Sequence, residues 1–133
     1  MSAPVILVLE DFEQARFVIR AVLEGGGYEV VEAATEAEAL DLCGEPEQRL
    51  DLLISDVVLR EACGTEVAVR ISALRPRLPI LFMSGYPIED VPNVSLLASN
   101  QTAAIQFLQK PFDPERLLGK VRELVPAVRK ANA

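Results

Sequence analysis

The chain has 133 residues, half of them apolar and a quarter charged, so it can bury a core without staples, and its length predicts one domain, 1–133. The 13 basic and 20 acidic residues leave a net charge of −7, which argues against a nucleic-acid binder built on a basic stripe and against docking on an anionic membrane. Histidine is absent, which excludes imidazole catalysis, imidazole metal ligands and a phosphohistidine carrier.

Residues 5–9 are five consecutive aliphatics. A short unbroken run of this kind predicts a strand buried on both faces. Over 13–24, Ala15, Val18, Ile19, Val22 and Leu23 recur at a helical period, and Gly25-Gly26-Gly27 stops that helix with a left-handed cap. Tyr28 to Ala33 reads as a second, more polar strand at a sheet edge. Thr35 with Glu38 forms a capping box for a helix over 36–44, which holds Ala37, Leu40 and Leu42 and ends near Gly44. A third strand covers 51–55 and a loop covers 56–64. A helix follows from Gly64 to about Leu74, with Val67, Ala68, Ile71 and Leu74 on one face. Residues 80–83 form a fourth strand. The stretch 85–103, with Pro87 and Pro92, predicts one short or irregular helix. Residues 104–108 make a fifth strand. Asp113-Pro114 opens the last helix, an N-cap followed by proline. That helix is expected to reach about Arg129, with Leu117, Leu118, Val121, Leu124, Val125 and Val128 inward and Pro126 bending or shortening it.

This β-α alternation predicts a flavodoxin-like (βα)5 three-layer sandwich. Its parallel five-stranded sheet should have right-handed crossovers and the order 2-1-3-4-5. Cys43 and Cys63 have no metal-like spacing, which favours two free thiols over a bridge. No signal peptide precedes the first strand, and no apolar run approaches the roughly 20 residues of a spanning helix. The expected location is cytoplasmic.

Four apolar runs end in chemically useful side chains: Glu10 and Asp11, Asp56, Ser84, and Lys110. In a parallel α/β sheet the carboxyl ends of the strands share one crevice, so three acids, a hydroxyl and an ammonium are expected together. Three close carboxylates repel, and a hard cation relieves the repulsion. Mg2+, or Mn2+ in its place, needs only one or two carboxylates, a carbonyl and waters. Asp11 and Asp56 are the expected direct ligands with the Val58 backbone carbonyl, and Glu10 reaches the metal through water. Asp56 can then attack phosphorus as an oxygen nucleophile. Lys110 and Ser84 would hold phosphoryl oxygens. Phe107 stands open between a core aromatic and a mobile one.

The pieces Ile6-Leu7-Val8-Leu9-Glu10-Asp11, Asp56 with Gly64 eight residues on, Met83-Ser84-Gly85-Tyr86 and Lys110-Pro111-Phe112 resemble the receiver domain of two-component response regulators. The resemblance covers about residues 5–129. The phrases around Ser84 and Phe107–Phe112 look most like receivers of hybrid histidine kinases or their free-standing relatives. The resemblance implies that Asp56 is the phosphoacceptor and that Glu10 and Asp11 form the acidic pocket. It further implies Ser84 as the switch hydroxyl, Lys110 as the phosphate-binding lysine and a cis peptide before Pro111. The implied partner is a histidine kinase or phosphotransfer protein, together with an unknown downstream protein, and the chain itself is a signalling protein rather than a turnover enzyme.

Four features depart from the family pattern. Arg60 stands where proline is usual. Phe107 fills the switch-aromatic position without a hydroxyl. The segment from Ser84 to Phe107 is long, which bears on dimerisation and leaves a monomer or weak dimer. No output domain follows, so the chain is expected to be free-standing or an excised piece. Arg60 and the unusual 85–103 stretch also keep open a degenerate receiver that serves only for docking. An aspartyl-phosphate phosphatase is a weaker alternative, because Val58 cannot serve as the general acid. Phe12 and Phe17 on or near the first helix offer aromatics to a partner.

Overall fold

The computed structural model describes residues 3–59, 62–91 and 104–126. In chain order the elements are β1 (Val5–Leu9), α1 (Glu13–Gly25), β2 (Glu29–Ala33), α2 (Glu36–Gly44), β3 (Leu52–Asp56), α3 (Gly64–Leu74), β4 (Ile80–Ser84), a 3-10 turn (Ile88–Asp90), β5 (Ile105–Gln109) and α4 (Pro114–Leu124). All four strand pairings are parallel, in the order β2-β1-β3-β4-β5. This is the flavodoxin-like order that the alternation predicts.

Strand side chains alternate between faces, and each face packs on its own pair of helices. Leu7, Leu9, Leu53, Ile80 and Phe82 meet Ala39 and Cys43 of α2 and Val67, Ala68 and Ile71 of α3. Ile6, Val8, Leu52, Ile54, Leu81 and Met83 meet Ile19 and Leu23 of α1 and Leu117 and Val121 of α4. Every residue of β1, β3 and β4 is buried, whereas β2 at one edge and β5 at the other are partly open. Burial on both faces explains why the inner strands read as unbroken apolar runs.

Helix faces depart from the sequence reading in two places. Val18 of α1 is 58% exposed and Leu74 of α3 is 49% exposed. In α2 Ala39 and Cys43 are buried, Leu40 and Leu42 pack half-buried against the same core, and Ala37 is exposed. That helix covers the thin edge of the sheet, and its alanines and alternating acids give the helical period little contrast. Thr35 caps it, accepting the Glu38 N–H at 3.2 Å, while Glu38 reaches back to the Ala34 N–H. The helix stop at Gly25-Gly26-Gly27 places its left-handed residue at Gly27, with φ 96°. Asp113 caps α4 through the Arg116 N–H, and the helix stops at Leu124, ahead of Pro126. Val128 and Arg129, Arg60, and most of the helix expected within 85–103 lie outside the described residues. Cys43 and Cys63 are free thiols. Among the described residues no helix is long and apolar enough to cross a membrane.

Two local constraints hold the strand ends in place. Gly64 opens α3 directly beneath β3, and a Cβ there would stand 2.0 Å from the Asp56 carbonyl oxygen and 2.9 Å from Val57 Cα. The Gly64 N–H donates to the Val57 carbonyl at 2.6 Å, so helix and strand end approach backbone to backbone. At the other end of the sheet, the buried Tyr28 hydroxyl donates to the Val125 carbonyl at 2.6 Å and pins the tail of α4 to the start of β2.

Gly64→Ala therefore forces backbone apart rather than a flexible side chain, and should lower stability by roughly 3 kcal/mol, the upper end of overpacking effects. A urea midpoint within error of wild type would contradict the close approach. Tyr28→Phe should cost about 1 kcal/mol by orphaning the Val125 carbonyl, measured in the same way.

Candidate functional site

The site is built by strand register. Leu9 of β1 lies opposite Ser55 of β3, so the next residues, Glu10 and Asp56, stand side by side at the carboxyl rim. Glu10 is 3% exposed and Asp56 is 8% exposed. The Glu10 N–H donates to the Ala33 carbonyl at 3.1 Å, its carbonyl accepts Arg16 Nη1 at 2.7 Å, and its Oε2 accepts the Phe12 N–H at 3.0 Å. Its backbone is thus held on both sides and its carboxyl is turned inward.

On the other flank, Asp56 aligns with Met83 of β4, and Met83 aligns with Leu108 of β5. Lys110 lies two residues beyond that level and two strands away. Its long stem spans this gap, and Nζ reaches Asp56 Oδ2 at 2.6 Å. The lysine is anchored at its other end as well, because its own N–H donates to the Ser84 carbonyl at 2.7 Å. The Lys110–Pro111 peptide is cis. Asp56 Oδ1 accepts the Val58 N–H at 3.0 Å, and the buried Ser55 hydroxyl donates to the Asp56 carbonyl at 3.0 Å.

The Glu10 carboxyl is pushed up from 4.5 to about 7. Burial is the main cause. The hydrogen bond from the Phe12 N–H pulls the other way, the charge of Asp56 adds to the rise, the Lys110 ammonium opposes it, and a hydrogen bond shared with Asp56 raises it further. Near neutrality Glu10 therefore holds a proton part of the time.

Not every expected side chain joins this group. Asp11 is only half-buried and lines a cleft of about 610 Å3 beside Thr35, Leu40, Leu59 and Ala62. Among the described residues, no group of three or more acidic or thiol side chains is placed to hold a metal ion. The gathering of three carboxylates is therefore a buried pair with a third at the surface, an arrangement that avoids desolvating a third negative charge. Ser84 is buried, but its hydroxyl is engaged with its own turn: it donates to the Tyr86 carbonyl at 3.0 Å and accepts the Tyr86 N–H at 2.9 Å. Strand alternation accounts for this. Ser84 follows the parity of Phe82, on the α2/α3 side, whereas Asp56 follows Ile54, on the α1/α4 side. Phe107 stacks on fully buried Phe82, with ring centroids 5.3 Å apart, and is partly buried against the α2/α3 core.

Sequence reasoning missed Arg16 and Ser55. Arg16 carries no motif of its own. Its role emerges only once α1 is in place, where Nε also binds Glu32 Oε1 at 2.9 Å.

Comparison with known proteins agrees with this geometry. Residues 6–122 match the response regulator receiver domain family. The chain is 36% identical over 124 residues, 93% of its length, to the sensor kinase CckA of Brucella abortus (strain 2308), and spans 13% of that kinase. Among solved structures, a CheY-like receiver domain protein of Methanospirillum hungatei JF-1 superposes with a TM-score of 0.76 at 30% identity, over 92% of this chain and 93% of that one. The receiver domain of the hybrid histidine kinase CckA gives 0.73 at 31% identity, over 91% and 98%. Fold, strand-end chemistry and relatives agree: the chain belongs to the response regulator receiver family of two-component signalling.

Proposed function

We propose that this receiver takes a phosphoryl group onto Asp56 in a Mg2+-dependent step, and that the phosphorylated form alters a partner-binding surface. The donor is an N-phosphorylated imidazole of a histidine kinase or phosphotransfer protein. The support for a kinase partner is the likeness to a sensor kinase and to the receiver of a hybrid histidine kinase. A carboxylate oxygen of Asp56 forms the new O–P bond as the donor's P–N bond breaks, and the leaving imidazole takes up a proton. The observation that carries this reading is the Lys110 ammonium at 2.6 Å from Asp56 Oδ2, within a rim that also holds the Glu10 carboxyl. An ammonium seated on the nucleophile can move outward onto a phosphoryl oxygen without leaving the site. Val58, two residues after Asp56, carries no acid group for steady turnover.

The donor set fits Mg2+ or Mn2+, which would supply positive charge to a second phosphoryl oxygen. The paired carboxylates of Glu10 and Asp56 are hard oxygen donors that repel each other, and such an ion needs few protein ligands. Asp56 and Asp11 would hold it directly with the Val58 backbone carbonyl, and Glu10 through water.

Ser84 would donate to a third phosphoryl oxygen. To do so its hydroxyl must give up both bonds to Tyr86. The ring of Tyr86 is exposed beside exposed Val58, so release of this turn reshapes a surface that a partner can read, a shift between two populations.

Incubation with Mg2+ and acetyl phosphate, read by intact mass, should add one phosphoryl group to the wild type and none to Asp56→Asn. Equal labelling of the two proteins would sink the assignment. A receiver used only for docking would instead bind its partner equally well after Asp56→Ala. The pH dependence is also set. The folded value of Glu10, about 7, lies above its unfolded value of 4.5, so folding retains a proton across that window and stability from this group falls as pH rises from 4.5 to 7. In Mg2+-free buffer, Glu10→Gln should match the wild type in urea unfolding at pH 5 and exceed it at pH 8 by up to about 3 kcal/mol. Mg2+ should narrow that gap.

A further inference from the structure

Arg16 binds neither carboxylate of the buried pair, yet it is tied to the backbone that carries Glu10. Nη1 donates to the Glu10 carbonyl at 2.7 Å and Nε to Glu32 Oε1 at 2.9 Å. The arginine side chain is only 15% exposed. Glu32, near the end of β2, also binds Arg20 of the next helical turn. Burial alone would raise the Glu32 carboxyl, but the two arginines outweigh it and hold it below the ordinary range. Arg16 is thus anchored by an ionised carboxylate and aimed at one backbone oxygen.

That oxygen matters because the peptide unit is planar. The plane carrying the Glu10 carbonyl also carries the Asp11 N–H, and its tilt sets the direction in which Asp11 leaves the strand. The preceding peptide is fixed by the Glu10 N–H on Ala33. The following turn is fixed by the Phe12 N–H on Glu10 Oε2 and by the Arg16 N–H on the Phe12 carbonyl at 2.9 Å. Between these ties the guanidinium clamps the Glu10–Asp11 peptide through its carbonyl oxygen. Lysine cannot replace it, because one ammonium cannot present two divergent donors in a fixed fork.

We propose that Arg16 is a positioning residue of the phosphorylation site: held by Glu32, it locks the Glu10–Asp11 peptide plane and so presets Asp11 and Glu10 for the divalent cation. This rests on the receiver reading above. An ordinary α1-to-sheet tether would be expected to affect stability alone, whereas a positioning clamp sets metal affinity.

The test uses the full chain as wild type, Arg16→Met, Arg16→Lys and Glu32→Gln. Direct Mg2+ titration by NMR should show roughly tenfold weaker binding in Arg16→Met and Arg16→Lys, the scale seen when a partner that orients a metal ligand is removed. Glu32→Gln should weaken binding in the same direction without touching the rim. In metal-free protein the Phe12 amide should exchange faster in Arg16→Met than in wild type, while core amides of β3 stay protected. Acetyl-phosphate labelling should need correspondingly more Mg2+ for half-saturation, with labelling at saturating Mg2+ within about twofold of wild type. Mg2+ affinity within twofold of wild type in both Arg16 variants overturns the positioning role while leaving the receiver reading intact. Failure of the wild type itself to bind Mg2+ and label overturns both.

Discussion

Two acidic side chains forced together at the ends of adjacent strands set the terms for everything else in this molecule. Glu10 and Asp56 are neighbours because Leu9 pairs with Ser55, and that register cannot slip. A shift of one residue would turn every side chain of β1 or β3 to the opposite face, and both strands are buried throughout. The repulsion is therefore not relieved by movement of the backbone. It is relieved chemically, by the Lys110 ammonium on Asp56 and by a proton that Glu10 retains up to about pH 7. A core packed for stability thus holds a rim of paired acids whose charge is balanced by one ammonium and one proton.

Much of this was legible before any coordinates. The inner strands β1, β3 and β4 announce themselves because burial on both faces leaves an unbroken apolar run, and a polar residue at the end of such a run has few places to go but the rim. Asp56 and Ser84 prove to be the last residues of their strands rather than the first of their loops, a one-residue difference without consequence for the site. What was not legible is which face each rim residue takes. Ser84 was grouped with Asp56 because both end strands, but the faces follow the parity of each strand's own core contacts, and β3 and β4 are out of step. Asp11 was grouped with Glu10 because they are adjacent, but adjacent residues diverge, and only one enters the buried pair.

The helices were read less well, for a related reason. The helical period marks a stripe of apolar side chains, but not how wide a stripe the sheet can cover. Val18 and Phe17 of α1 lie side by side at 58% and 69% exposure, beyond the strip that Ile19 and Leu23 bury against β1 and β2. Arg16, on the same helix, would pass in sequence for a solvated charge. Its value lies in what α1 brings it to, and helix placement is a tertiary property.

The two faces of the sheet hold different parts of the apparatus. The α1/α4 side carries the charges of Glu10, Asp56 and Lys110. The α2/α3 side carries Ser84 and the stacked rings of Phe82 and Phe107, the latter arrangement worth about 0.5–1.5 kcal/mol beyond burial. Between them, β4 is bonded on both flanks at its last two residues. The N–H of Val57, just past Asp56, donates to the Met83 carbonyl at 3.0 Å, and the N–H of Lys110 donates to the Ser84 carbonyl at 2.7 Å. The backbone just past Asp56 and that of Lys110 thus grip two successive peptides of β4. The same Ser84 whose carbonyl accepts the Lys110 N–H also closes the Tyr86 turn with its hydroxyl. The last two residues of β4 therefore connect the charged group on one face of the sheet to the exposed Tyr86 turn.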